Sequence, residues 1–382
     1  KLPFTQELTL VKSTKKLDFQ TWDKLAKEFE DATKRKELVK QGHKVEVWTS
    51  DALRQGKYPK KRETINGVVV ERLPTWCKLS YFTPFFPAVW RRALTEEYDI
   101  LHVNAFRQPH NLAIVLAKLR GKRTILGMHW PEYPKELRSS IMDWIIPLFD
   151  ATLGKIILSC CDKIIVQTKA EESWLTKKFG RRRNIIVLPP GIKKDYLRKR
   201  SSSIFRKRYK IQGQMILYIG RIHQSKGIDK IIDIAPRFKK ATFIIIGDGP
   251  YKREVENKIR ERKIKNIKML GRCSEEEKMQ AYAACDIFIH PTEYDAFGIT
   301  LIEAMAQEKP VLASHVGGIP SVVGIEGLTF RKDDREDLKR KLKKLLDSKK
   351  LREELGHRGR KKVEGMTWEK IVIQLGKVYR SL

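Results

Sequence analysis

The chain reads as an α/β protein of two βαβ domains, and three observations predict it. Short apolar runs suited to buried strands alternate with helix-like stretches, once through each half of the sequence. Several of these runs end in turns rich in glycine or cations, and open parallel sheets bind ligands outside such strand ends. The length of 382 residues is too great for one core and suits two domains of roughly 150–200 residues.

The first forty residues are the least patterned. Residues 8–11 hint at a strand, 22–39 read as a charged amphipathic helix leading into Gln41-Gly42-His43, and no glycine precedes Gly42. Apolar runs then follow at 45–48, 68–70, 100–103, 124–126, 164–166 and 185–188, each short enough for a strand. Two of them, Asp99-Ile100-Leu101-His102-Val103-Asn104 and Leu126-Gly127-Met128-His129, carry a histidine near the strand end. Such a histidine is either bonded within its own loop or presented to a ligand. Pro189-Pro190-Gly191-Ile192 closes the half.

In the second half, the apolar run at 215–219 stops at Gly220, and Arg221 and Lys226 follow on the loop. Two cations there can neutralise a diphosphate, arginine by its fork and lysine as a point charge. The run at 242–246 enters Gly247-Asp248-Gly249-Pro250, and the run at 287–289 is stopped by Pro291. Residues 299–307 have helical periodicity, with Gly298 before them where a backbone can approach a ligand closely. The first amides of such a helix lack partners and carry the positive end of its dipole. Those of Phe297, Gly298, Ile299 and Thr300 therefore suit a phosphate. Asp295 and Glu303 flank the helix start; Glu303 can accept two neighbouring hydroxyls such as a ribose offers, and Asp295 lies toward the far end of the phosphates. On the plainer reading Asp295 caps the helix and Glu303 is a surface acid. Glu293 is the lesser candidate because its spacing to Glu303 does not fit.

Together these residues resemble the retaining glycosyltransferases of family four, whose GT-B fold sets two Rossmann-like domains facing each other across a cleft. The resemblance runs through most of the second half: GR-x4-KG from Gly220 to Gly227, GDGP at Gly247, the acid-x7-Glu element from Asp295 to Glu303, and Gly317-Gly318. It implies that Arg221 and Lys226 bind the donor's diphosphate, Glu303 the ribose and Asp295 the donor sugar. Gly220, Phe297, Gly298, Ile299 and Thr300 would lie against the phosphates, and Arg272 and Cys273 beside the base. The first acid is usually Glu and here is Asp295, one methylene shorter. His129 looks like the family histidine facing the donor sugar, His102 and Asn104 remain open, and the Pro-Pro-Gly element resembles the one closing the first domain. The glycine-rich loop that normally follows the first strand is absent. The implied domains are 1–192 and 193–367, with a helix at 368–382 returning to the first.

The expected function is retaining transfer of a hexosyl unit from a UDP-, GDP- or ADP-sugar to a lipid, oligosaccharide or small-molecule acceptor. No cofactor is expected, and with no Asp-x-Asp element no metal. The alternatives are a basic-surface binding protein on an inactive scaffold, or a sugar phosphorylase or sugar-phosphate synthase. A balance of 79 Lys and Arg against 46 Asp and Glu leaves +33. Nine cations and the single acid Asp195 fall within 193–210, just after Arg181-Arg182-Arg183. That run suits an anionic membrane surface or is a solvated linker, nucleic acid being the less expected partner. The aromatic stretch at 75–90, TWCKLSYFTPFFPAVW, is core, acceptor groove or membrane interface. Five unpatterned cysteines suggest neither disulfides nor zinc, and no apolar run is long enough to span a bilayer. A cytoplasmic protein, peripheral on the inner membrane face if the basic run acts there, is the expectation; the oligomeric state is unread.

Overall fold

The computed structural model describes residues 7–12, 38–40, 42–52, 57–80, 83–130 and 140–382. The helix expected over 22–39 lies outside them except for Leu38 and Val39, which are helical. The chain divides into two compact units, one running to Gly191 and taking in Trp368–Leu382, the other Ile192–Thr367.

The first unit is built on an eight-stranded sheet, with a separate two-stranded ribbon. Its strands are β1 (Glu7–Lys12), β2 (Lys44–Ser50), β3 (Arg62–Ile65), β4 (Val68–Leu73), β7 (Ile100–Asn104), β8 (Arg123–Gly127), β9 (Lys163–Val166) and β10 (Ile185–Val187); β5 (Cys77–Ser80) and β6 (Thr83–Phe85) form the ribbon. The spatial order is β10-β9-β8-β7-β1-β2-β4-β3. The six apolar runs form β2, β4 and β7 to β10, parallel wherever they pair with one another. β1 departs from an all-parallel arrangement, because it runs antiparallel to both neighbours. β3 joins antiparallel to β4 through Asn66-Gly67, whose φ angles of 49° and 69° make the tight hairpin turn that this dipeptide favours.

β7 is buried along its whole length, as a central strand covered on both faces must be. One face packs against the helices Ala88–Thr95, Leu112–Leu119 and Leu153–Cys160 through Val89, Ala113, Ile114 and Ile157. The other is covered by the last helix, Trp368–Arg380, whose Ile371, Val372, Leu375 and Tyr379 join Val45, Val47, Val68 and Ile100 in one cluster.

The second unit has six strands, all parallel: β11 (Gln214–Ile219), β12 (Ala241–Ile246), β13 (Ile267–Gly271), β14 (Ile287–His290), β15 (Val311–Ser314) and β16 (Leu328–Phe330). Their order is β13-β12-β11-β14-β15-β16. The chain winds outward from β11 in one direction, then returns to its other side at β14. Winding reverses between those two strands, which leaves a crevice outside their carboxyl ends.

Candidate active site

Both loops at that reversal carry the residues singled out by sequence. The first leaves β11 at Gly220, held by its N–H to Ile246 O at 3.0 Å, and turns through Arg221 to Lys226 and Gly227. The second leaves β14 at His290 and reaches Asp295 before the helix Ile299–Ala306. Two glycines pack against the second loop, Gly227 from the first loop and Gly317 from the turn after β15. Gly227 has φ +66°, and a Cβ there would lie 1.9 Å from Pro291 O. Gly317 has φ +52°, and its Cβ would meet Asp295 O at 2.2 Å. Larger residues at either place would drive the loops apart.

Asp295 is the hub. Its Oδ2 accepts from Lys226 Nζ at 2.7 Å and lies 3.2 Å from His290 Nε2, while Oδ1 accepts from the amides of Gly298 at 3.2 Å and Phe297 at 3.4 Å. Burial by itself would raise this carboxyl, but Lys226 and His290 outweigh it and hold the group far below the usual carboxylate range. Asp295 thus holds the turn that leads into the helix and pairs with Lys226 at once, so the groups that the sequence assigns to the donor sugar and to the diphosphate meet directly. A lysine has three donors, and Lys226 keeps capacity for an anion. Arg221 strengthens the positive field: its Nε is buried with no hydrogen-bond partner among the described residues. Burial, then Arg221 and Lys226, depress the neighbouring His223 imidazole. The helix's first turn begins at Ile299 and Thr300, and Thr300 Oγ1 is likewise buried and without a partner among the described residues.

Glu303 sits one turn further, buried, and not as an open acceptor. Oε1 takes Lys278 Nζ at 3.0 Å and Oε2 takes Tyr282 OH at 2.7 Å. Lys278 and Tyr282 stand one turn apart on the helix Glu275–Ala284. Burial opposes the Lys278 charge, yet Glu303 and Glu275 hold the ammonium above its usual value. A carboxylate has roughly four lone-pair sites, so a hydroxyl can still bind beside these two. Glu293 is tied to the buried Lys230 at 2.6 Å, away from Asp295. Arg272 is exposed and pairs with Asp248 at 3.1 Å; Cys273 is half-buried, its thiol pushed up to about 11 by burial.

The histidines of the first unit part company. His102 Nδ1 lies 2.8 Å from Tyr379 OH and fastens the last helix to the sheet. His129 is held differently: Gln167 Nε2 lies 2.9 Å from Nδ1, and Asn104 Oδ1 lies 3.3 Å from Nε2. His129 and Trp130 both have positive φ, 55° and 45°, a strained turn for residues with side chains. The buried Glu171 supports it, accepting the Trp130 amide on one oxygen and the Gln167 amide, at 2.6 Å, on the other. Burial pushes Glu171 up to about 7 against the pull of those two amides.

His290, Lys278, Tyr282, Gln167 and Glu171 were not singled out in the sequence. His290, at the end of a strand five residues before Asp295, had a positional signal; the others did not. The basic run lies mostly at the surface, with much of its charge set against nearby acids. Lys193, Arg198, Lys199, Arg200, Arg206 and Arg208 all pair with acids.

The two Rossmann-like units, with a cationic site at the strand-order reversal, define a GT-B protein. A family model described as "Glycosyltransferase Family 4" matches residues 33–196 and one described as "Glycosyl transferases group 1" matches 201–362. The chain belongs to this glycosyltransferase family. An uncharacterised glycosyltransferase of Methanocaldococcus jannaschii is 32 % identical over 223 residues, 58 % of this chain and 60 % of that relative's length. Among solved structures, sucrose-phosphate synthase of Thermosynechococcus elongatus superposes with a TM-score of 0.72 at 20 % identity, covering 91 % of this chain and 90 % of that one. The HepE protein of Anabaena in complex with UDP gives 0.67 at 20 % identity over 82 % and 86 %.

Proposed function

We propose that the protein transfers a hexosyl unit from a nucleoside-diphosphate sugar to a lipid, oligosaccharide or small-molecule acceptor, with retention at the anomeric carbon and without a metal. One observation carries the reading: Arg221, its buried Nε without a partner among the described residues, and Lys226 stand beside a helix start at the strand-order reversal. This is the chemistry a diphosphate requires. The UDP bound to the HepE neighbour supports the same ligand class.

In this scheme Arg221, Lys226 and the amides of Ile299 and Thr300 stabilise the charge that grows on the leaving diphosphate, whereas the amides of Phe297 and Gly298, expected on the phosphates from the sequence, are turned to Asp295. Gly220 lets the backbone come close. Glu303 takes a ribose hydroxyl while Lys278 and Tyr282 hold it in place. Asp295 attends the donor sugar, and the Arg272-Cys273 backbone lies by the base. As the anomeric centre gains oxocarbenium character, the acceptor hydroxyl attacks from the face the diphosphate leaves, and its proton passes to a phosphate oxygen. The C–O bond to phosphate breaks, the new glycosidic C–O bond forms, and no protein nucleophile is consumed.

Thermal shift with UDP-, GDP- and ADP-sugars, each with and without EDTA, tests this, because a ligand of the folded state raises its apparent stability. The expected result is a shift with one nucleotide class, insensitive to EDTA and lost in Arg221→Ala. Loss of turnover on metal removal, or an inverted anomer by NMR, overturns the mechanism. Product formation with inorganic phosphate as acceptor would make the enzyme a phosphorylase.

A further inference from the structure

Away from the site, large exposed apolar side chains gather on one pair of helices. Ile141, Trp144, Ile145 and Leu148 recur at i, i+3, i+4 and i+7 on the helix Ser140–Ala151, with Trp144 84 % exposed. Leu153 and Ile156, each about half exposed, continue the surface onto Leu153–Cys160. An apolar stripe at that spacing ordinarily faces a core. Here the core side of the same helices is already occupied by Phe149, Ile157 and Leu158, so the stripe is a second, outward face.

Cations border it. Phe106 packs on Phe149 and on Phe179 at ring distances of 5.7 and 5.8 Å, which sets the end of the helix Lys169–Phe179 beside the apolar pair. Lys178 Nζ reaches Asp150 at 2.7 Å at the end of the first apolar helix, and Arg182 donates to Leu158 O at 3.2 Å near the end of the second. The exposed Lys177, Arg181 and Arg183 belong to the same stretch, and Lys155 is exposed on the second apolar helix.

We propose that the helices Ser140–Ala151 and Leu153–Cys160 seat the protein on a bilayer carrying anionic phospholipid. Tryptophan and aliphatic side chains enter the headgroup and upper acyl region while bordering cations meet lipid phosphates. A second copy is the poorer occupant, since two-fold pairing of this face would bring the same cations together in a chain of net charge +33. The surface acts independently of the transfer chemistry and of the 193–210 run, where six of the nine cations are already paired.

The test is flotation of the full chain with phosphatidylcholine vesicles and with vesicles that also contain phosphatidylglycerol. The chain is expected to float with the anionic vesicles and to be partly released by salt. Trp144→Glu combined with Leu148→Glu should cut partitioning about tenfold or more at unchanged melting temperature. Arg181→Glu with Arg183→Glu should instead erase the preference for anionic over neutral vesicles. A chain left in the aqueous phase with every vesicle overturns the proposal, as does wild-type flotation of the Trp144/Leu148 variant. A dimer in sedimentation equilibrium that this variant dissociates overturns it too. The nucleotide-sugar thermal shift, measured on the same variants, should be unchanged, so that loss of seating and loss of donor binding are read separately.

Discussion

Lys226 and Asp295 each neutralise the other, so changing one disturbs both binding and stability. In Lys226→Ala, Asp295 keeps, among the described residues, His290 and the amides of Phe297 and Gly298, and the diphosphate loses a cation. Turnover should fall by about two orders of magnitude or more, measured as initial rates, with a lower melting temperature. Glu303→Ala leaves Lys278 partly buried beside Glu275 alone. We expect a loss on the order of 2 kcal/mol in urea unfolding, below the value for a fully buried pair because Glu275 remains. The two perturbed acids act oppositely with pH. Asp295 is depressed in the fold, so its stabilisation is present above the ordinary aspartate range and is lost as pH falls below it. Glu171 is raised to about 7, so the folded state binds the extra proton; its contribution is full below the ordinary glutamate range and is lost as pH rises through about 7. Melting temperature against pH should therefore show a mid-range decline that Glu171→Gln removes.

Among the elements, the loops after β11 and β14 work as a pair because glycine lets one backbone touch the other. Gly227→Ala puts a methyl 1.9 Å from Pro291 O at a positive φ, and should cost more than about 2 kcal/mol and weaken nucleotide binding together. Equal unfolding midpoints for variant and parent would refute the clamp. The last helix is an element of the first sheet's core despite its distance in sequence, with His102 bonded to Tyr379 and Ile371, Val372 and Leu375 buried. Deleting 368–382 uncovers that sheet face and should give insoluble or aggregated protein on expression, whereas Ile373→Ser, at an exposed position of the same helix, should be tolerated.

For the whole molecule, two units with separate core clusters predict two transitions in calorimetry. A bound nucleotide sugar should raise the transition that Arg221→Ala also moves, because that arginine lies in the Ile192–Thr367 unit. Much of this architecture was legible in the chain. The strands β7, β8, β9, β11, β12 and β14 are apolar runs buried on both faces, and β2, β4 and β10 are apolar runs buried only in part; a linear pattern displays both directly. β3 was passed over although its Asn-Gly turn was visible, because RETI is too polar to stand out. The antiparallel pairing of β1 had no local sign at all.

What the sequence by itself determined was the alternation of strands and helices and the kinds of chemistry at the strand ends: cations after β11, an acid and a helix start after β14, a histidine after β8. These follow from backbone periodicity and turn chemistry within about ten residues. Only the tertiary structure decided the partners: Lys226 on Asp295 across 69 positions, Lys278 and Tyr282 on Glu303, Glu171 under the His129 turn, and His102 on Tyr379 across 277. Those contacts depend on which helix is laid over which strand, a property of packing that no short stretch of the chain contains.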